Sequence, residues 1–169
     1  NSMNFQFLIE KLHDSDVFKK FKNEFPDSYM CGGFFLIDRE NLKNPENKTQ
    51  LDYYVPSSKQ IFSFKIDGNV EKTLQEIKDQ RIPGQVSSEH GFDFEEIEEM
   101  IENEMKIKSF NNIIKKFILS FQSLKGNDYL IGTIFLNNLA LLKVQINLNK
   151  MKLEELERKN VFDFFKKVK

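Results

Sequence analysis

The sequence of 169 residues contains no tryptophan, four prolines, seven glycines and a single cysteine. Because Cys31 stands alone, an internal disulfide and a metal cluster built on several cysteines are both excluded. The formal net charge is only -1, from 25 basic and 26 acidic residues, so the basic excess of a dedicated nucleic-acid binder is missing. We therefore expect no nucleic-acid partner.

Long apolar runs are also missing from the sequence. The longest, at residues 34–37, 129–131 and 139–142, are far shorter than the roughly 20 residues that a membrane-spanning helix needs. The apolar residues at 5–9 are followed directly by Glu10 and are preceded by no basic leader, which predicts that they are not a signal peptide. From these absences we expect a cytoplasmic protein with no membrane partner.

The residue that is plentiful is phenylalanine, with 18 copies beside four tyrosines. Purely apolar rings favour packing over hydrogen-bonded recognition. With 40% hydrophobic and 30% charged residues, the chain has the composition of a folded domain and not of a disordered segment. We expect one domain of ordinary size, or two small units that share a core.

Helices are predicted near the N-terminus and in the middle of the chain. Phe5, Leu8, Ile9 and Leu12 recur at helical spacing, and a second segment that ends at Pro26 can be capped by Asp14 or Ser15. Asp93 and Glu96 form the pattern of a capping box before an acidic helix. We interpret its charged face as solvated, and the alternative is an acidic docking surface for a basic partner. Branched and aromatic runs separated by turn residues predict six strands, at 29–38, 51–55, 60–67, 113–123, 129–136 and 139–148.

The order helix, three strands, helix, three strands predicts an internal repeat. Residues 57–67 align without gaps on residues 137–147, so that apolar positions match, and residues 34–36 match 117–119. The predicted fold is α+β: a duplicated helix plus three-stranded antiparallel meander, with the helices packed on one face of the sheet. The predicted units are 3–67 and 92–150, with a connector at 68–91 and a C-terminal tail at 151–169, in one compact domain overall.

Several short motifs carry a resemblance to a known group of proteins. They are Pro26-Asp27-Ser28-Tyr29 before the first strand, Tyr53-Tyr54 facing Phe62-Ser63-Phe64-Lys65-Ile66, the step Ile146-Asn147, and the closing segment Phe162-Asp163-Phe164-Phe165. In this order the chain resembles the uncharacterised archaeal-type tandem PepSY-like (cystatin-like) protein family. The resemblance implies the duplicated fold and brings no established activity, although PepSY domains as a class are associated with binding and inhibiting peptidases.

No pattern in the sequence predicts catalysis. Cys31 with His13 or His90 is the one candidate nucleophile and base, but no cysteine-protease signature surrounds it. The glycine pair Gly32-Gly33 leads into a strand and not into a helix, which excludes a phosphate cradle and favours a bulge or the close approach of a helix. We predict no catalytic residue, no metal site and no cofactor.

A pocket or an exposed patch is predicted around Tyr29, Cys31, Tyr53 and Tyr54. Because successive side chains of a strand point to opposite faces, Tyr53 and Tyr54 are not both expected in the core. In the first interpretation, these residues line a pocket between helices and sheet. In the second, one tyrosine ring packs in the core, and the second ring forms an exposed patch with Asp52 on the opposite face.

The C-terminal tail carries Leu153 and Leu156 at helical spacing and then Phe162, Phe164 and Phe165, which are too apolar to remain free in water. They are candidate interaction residues, through contact with the domain itself or with a second copy in a homodimer. The function predicted is that of a non-catalytic protein- or peptide-interaction module, whose sheet edges can accept another strand. The alternative is a small-ligand-binding protein or enzyme with a pocket between helices and sheet.

Overall fold

The computed structural model describes residues 3–77, 79 and 81–166, except for the side chains of residues 164–166. These residues form four helices, α1 (Phe5–Asp14), α2 (Asp16–Glu24), α3 (Phe94–Ile107) and α4 (Val161–Lys166). They also form eight strands, β1 (Tyr29–Asp38), β2 (Lys48–Val55), β3 (Gln60–Lys65), β4 (Glu71–Gln75), β5 (Ile114–Leu124), β6 (Asn127–Leu136), β7 (Ala140–Asn147) and β8 (Lys152–Asn160).

All eight strands form one antiparallel sheet in the order β4-β3-β2-β1-β5-β6-β7-β8. The predicted α+β class with an antiparallel sheet is therefore confirmed. Each half of the chain supplies four strands, and not the three-stranded meander expected from the sequence. The halves meet where β1 pairs with β5, with Phe35 opposite Leu119 and Ile37 opposite Phe117.

One face of the sheet carries the core, and α1, α2 and α3 cover it. The strand side chains on this helix-covered face include Phe35, Leu51, Phe64, Leu119 and Leu142, each fully buried. Phe18 of α2 lies edge-on to Phe64 with ring centroids 5.4 Å apart, and Phe94 of α3 lies 4.9 Å from Phe35. Alternation along the strands sends the intervening residues to the opposite face, which we call the open face.

The predicted helix signals correspond to observed contacts. The side chain of Ser15 caps α2 by accepting a hydrogen bond from the Phe18 amide at 3.2 Å. Asp93 caps α3 by accepting one from the Glu96 amide at 2.7 Å. The four apolar residues that predict α1 are all buried in the core. These caps satisfy backbone amides that have no partner within their helices.

Two segments differ from the sequence prediction. The predicted connector contains β4, which pairs along β3 from Ile61–Gln75 to Lys65–Glu71. Leu153 and Leu156, which stand at helical spacing in the sequence, lie in a strand, β8, which pairs with β7 at the edge of the sheet. The register shifts in that pairing, so that Leu153 faces Ile146 and Leu156 faces Val144. A strand with an extra residue can therefore present two side chains three positions apart on one face.

The glycine pair in β1 marks a bulge and a close approach between strands. The register with β2 shifts between Met30 and Gly32, which leaves Cys31 as the extra residue. A Cβ atom at Gly33 would lie 2.6 Å from the carbonyl oxygen of Gln50. Only glycine allows β2 this close to β1 at that position.

Candidate functional site

A cleft of about 720 Å³ opens on the helix-covered face, at the end of the sheet where β1 begins. Its walls come from the end of α1, from α2, from the first residues of β1, from β2 and from the segment 85–89. That segment is fixed to the sheet, because the amide of Val86 donates a 3.0 Å hydrogen bond to the carbonyl of Met30. We call this site the helix-side cleft.

Tyr53 of β2 lines the helix-side cleft and is 5% exposed. Its ring is held edge-on by three phenylalanines, with centroid distances of 5.1 Å to Phe18, 5.9 Å to Phe21 and 5.7 Å to Phe64. Burial raises the pKa of the Tyr53 hydroxyl, which therefore stays protonated at neutral pH. The hydroxyl makes no hydrogen bond to any residue that the structure describes.

Asp128 of β6 also lines the cleft and is 7% exposed. One carboxylate oxygen, Oδ2, accepts the amide of Ser87 at 2.9 Å and lies 2.7 Å from Nε2 of His90. The other oxygen, Oδ1, has no hydrogen-bond partner within the described part of the chain. Asp128 therefore fixes the segment 85–90 with one oxygen and leaves the second one unused.

Lys22 of α2 supplies a positive charge at the cleft. Its half-buried ammonium donates to the carbonyl oxygen of Ser28 at 2.9 Å and to the Ser28 hydroxyl at 3.0 Å. An ammonium carries three donors, so these two contacts leave one donor free. His13 stands at the rim, where its ring stacks on Phe18 with centroids 5.1 Å apart.

The four residues predicted to form a pocket or patch are distributed over both faces. Tyr53 lines the helix-side cleft with its ring. Tyr29 borders the cleft at the start of β1, but it is the cross-strand partner of Tyr54 and its ring lies on the open face, where its hydroxyl donates to the carbonyl of Pro83 at 2.5 Å. Tyr54 lies on the open face, as alternation requires, but it is 5% exposed and packs against Tyr29 at 5.6 Å. The expected exposed ring is therefore not found at Tyr54. Cys31 is half-buried and does not line the cleft.

Cys31 and Asp52 lie near each other on the open face, and burial raises the pKa of both side chains. Burial, together with the nearby carboxylate of Asp52, raises the pKa of the Cys31 thiol to about 12, so the thiolate is scarce at neutral pH. Asp52 accepts hydrogen bonds at Oδ1 from Ser63 at 2.7 Å and from Gln50 at 3.0 Å. Neither histidine is hydrogen-bonded to Cys31 among the residues described. The structure thus does not bring the candidate nucleophile and base together.

A second concave surface lies at the other end of the sheet, beside α4. This groove of about 570 Å³ has apolar walls formed by Ile118, Phe135, Leu139 and Val161, which we call the apolar patch, and a rim formed by Glu40, Lys115 and Lys116. Phe135 and Leu139 are 38% and 56% exposed. The next residue after Val161, Phe162, is 57% exposed, whereas the predicted Phe164 and Phe165 side chains lie outside the described residues. Exposed apolar groups collected at one place are typical of interaction surfaces.

Sequence reasoning found the tyrosines of the cleft but missed Lys22, Asp128 and the segment 85–90. The composition around Asp128 indicates a hairpin turn, and no local pattern joins it to His90, 38 residues away. In the described ranges, no group of three or more histidine, cysteine or acidic side chains is arranged to hold a metal ion. The same ranges contain no helix long and apolar enough to span a bilayer.

Comparison with known proteins yields a structural similarity and no family. No family model matches the chain, and no curated protein matches it. The crystal structure of a putative lipoprotein from Clostridium difficile 630 is similar, with a TM-score of 0.54 at 14% sequence identity. The similarity covers 85% of this chain and 91% of that one. At this identity the shared feature is the fold, which carries no activity with it.

Proposed function

We propose that the protein is a non-catalytic interaction module that binds a protein or peptide partner at the apolar patch. The observation that carries this proposal is the exposure of Phe135 and Leu139 in one groove, with Phe162 exposed directly after the groove residue Val161. Burying such side chains against a partner supplies the main favourable free energy of association.

The charges at the rim indicate the kind of partner segment. Lys115 and Glu40 form an ion pair at 3.4 Å, and both side chains are about half exposed. Lys116 also lines the groove and has no ion pair within the described ranges. A segment with an apolar side chain next to a carboxylate would fill the groove and pair with Lys116.

Edge pairing, the form of binding predicted from the sequence, is the second candidate. The edges of the sheet are β4 and β8, and among the described residues each has one side without a neighbouring strand. β8 carries Glu154, Glu155, Glu157, Arg158 and Lys159, and such charges oppose the addition of a strand. The five residues of β4 offer the shorter but less obstructed edge.

The patch version is tested by cross-linking and affinity capture with the variant Leu139→Asp. We expect the charged variant to lose the captured partner, because a buried carboxylate in an apolar contact is costly. Ile107→Asp serves as the matched control, since Ile107 is 76% exposed on α3 and lies outside the apolar patch. Capture by wild type and the control but not by Leu139→Asp supports the proposal. Equal capture by all three contradicts it, and loss on Thr73→Pro in β4 instead favours edge pairing.

We also propose that the chain arose by an internal duplication and is related to the PepSY-like group. The mirror order of strands on either side of the β1–β5 pair supports a duplication of four-strand units. In this arrangement the aligned residues 57–67 and 137–147 lie in or beside β3 and β7, which occupy equivalent positions. We further propose a cytoplasmic location and a homodimer. Light scattering of wild type and Leu139→Asp tests whether a second copy occupies the apolar patch.

A further inference from the structure

We propose that the helix-side cleft binds a small zwitterion, a molecule that carries both an ammonium and a carboxylate group, such as a free amino acid or the two ends of a short peptide. The site is separate from the apolar patch. The cleft residues come from α1, α2, β1, β2, β6 and the segment 85–89, whereas the patch lies beside α4.

Two deeply buried side chains of the cleft have unused hydrogen-bonding atoms. Tyr53 is 5% exposed and Asp128 is 7% exposed, yet the Tyr53 hydroxyl and the Asp128 Oδ1 atom have no partner in the described ranges. In those ranges no fully buried side-chain nitrogen or oxygen lacks a partner. Both atoms must therefore be reachable from outside, and the cleft is the opening that the two residues share. A ligand that enters the cleft can therefore replace water as the hydrogen-bond partner of both atoms.

The chemistry of these groups favours a ligand with both charges. Asp128 offers a carboxylate oxygen, and Glu89 adds a second carboxylate at the exposed side of the cleft. These two residues favour binding of the ammonium group of a ligand. Tyr53 offers a hydroxyl hydrogen, and Lys22 offers its remaining ammonium hydrogen. These two donors favour binding of the carboxylate group of the ligand. A zwitterion satisfies both pairs of residues without placing an uncompensated charge in the cleft.

The volume and the rigidity of the cleft fit the same class of ligand. About 720 Å³ is within the range of small-molecule sites and exceeds the volume of one amino acid. The Tyr53 ring is immobilised by three phenylalanines, and the segment 85–90 is fixed by Val86 and by Asp128. Binding groups held in place before the ligand arrives lose little entropy on binding.

The test uses the full-length protein and titration calorimetry with each of the 20 free amino acids, dialanine and trialanine as probes. We expect at least one probe to bind and to raise Tm at about 10 mM ligand. Preference for an amino acid over dialanine and trialanine identifies a free amino acid as the natural source of the zwitterion, and the reverse preference identifies a peptide. Binding that persists unchanged after N-acetylation and C-amidation of the probe overturns the proposal, as does the absence of binding by every probe.

Variants decide whether the binding occurs in the helix-side cleft. Tyr53→Phe removes only the hydroxyl and is expected to weaken binding about tenfold, the effect of losing one hydrogen bond to a charged group. Tyr54→Phe is the matched control, because Tyr54 is the neighbouring residue with equal 5% exposure on the opposite face. Lys22→Met is expected to weaken binding at least tenfold. If Tyr53→Phe and Lys22→Met bind the probe as wild type does, the proposed site is wrong.

Discussion

Asp52 lies at a position where burial disfavours the ionised form of its carboxyl group. The pKa of Asp52 is raised by burial, while hydrogen bonds from Ser63 and Gln50 partly offset that effect. The contacts from Ser63, Gln50 and Gln75 all end on Oδ1, at 2.7, 3.0 and 3.4 Å. An asparagine at this position can accept the same three hydrogen bonds through its own carbonyl oxygen.

We predict that Asp52→Asn stabilises the protein at pH 7 and not at pH 3. A carboxyl whose pKa is raised on folding costs nothing below its unfolded pKa of about 4, and its cost grows as pH rises through the folded pKa. The substitution removes that cost, and for a chain of this size each kcal/mol of stability gained raises Tm by about 2–4 °C. Thermal unfolding followed by circular dichroism at both pH values measures the difference.

Asp14→Asn, at an exposed position on α1, is the control for this measurement. It should show no comparable pH-dependent gain. A decrease in Tm on Asp52→Asn at pH 7 would show that the charge of Asp52 stabilises the open face instead of straining it.

At the scale of elements, β6 depends on a glycine in its middle. Gly132 faces Leu119 across the β5–β6 ladder, on the helix-covered face. A Cβ atom at Gly132 would collide with the carbonyl oxygen of Ile118 on the neighbouring strand, and backbone atoms cannot move aside as a flexible side chain can. The close pairing of β5 and β6 therefore requires glycine there.

We predict that Gly132→Ala lowers the free energy of unfolding by about 2 kcal/mol or more, because the strands must separate locally to admit the methyl group. Urea denaturation followed by circular dichroism measures this loss. Gly91→Ala is the matched control, since no atom lies within 4 Å of its added Cβ and its backbone is not left-handed. Equal stability of the two variants would contradict the predicted collision.

How far the elements can be predicted depends on how many side chains each one buries. The stripe of α1 and the alternating runs of β3 and β7 carry enough apolar residues for their periodicity to be read. β4 buries none of its five residues, so no alternation is present to indicate a strand. In β8 the bulge places Leu153 and Leu156 on one face at a separation of three, which imitates the period of a helix.

One part of the candidate site could be predicted from the sequence, and another part could not. Because Tyr53 and Tyr54 are consecutive residues of β2, the sequence alone predicts that their side chains lie on opposite faces of the sheet. The contacts of Asp128 with Ser87 and His90 span about 40 residues and depend on the path of the segment 85–90 over the end of the sheet. That path follows from tertiary packing, so local patterns could not predict the helix-side cleft.

At the scale of the whole molecule, the two halves are joined on both layers. In the sheet, β1 pairs with β5 over seven residue pairs, from Gly32–Gln122 to Asp38–Lys116. Above the sheet, the starts of α1 and α3 exchange backbone hydrogen bonds: the Phe5 amide donates to Phe92 and the Phe94 amide donates to Met3, each at 3.0 Å. A continuous sheet and a shared helix layer couple the two halves, so we expect them to unfold together.

Phe5 is the side chain that connects the layers, because it is fully buried, stacks on Phe92 at 5.0 Å and lies edge-on to Phe121 at 5.4 Å. We predict that Phe5→Ala costs about 3–5 kcal/mol and lowers the stability of both halves together. Hydrogen exchange should show equal losses of protection at Phe64 in β3 and Leu142 in β7. Phe7→Ala, at a 64% exposed position of the same helix, should leave both amides unchanged. If Phe5→Ala weakens protection in β3 while β7 stays protected, the halves unfold separately and the shared core does not couple them.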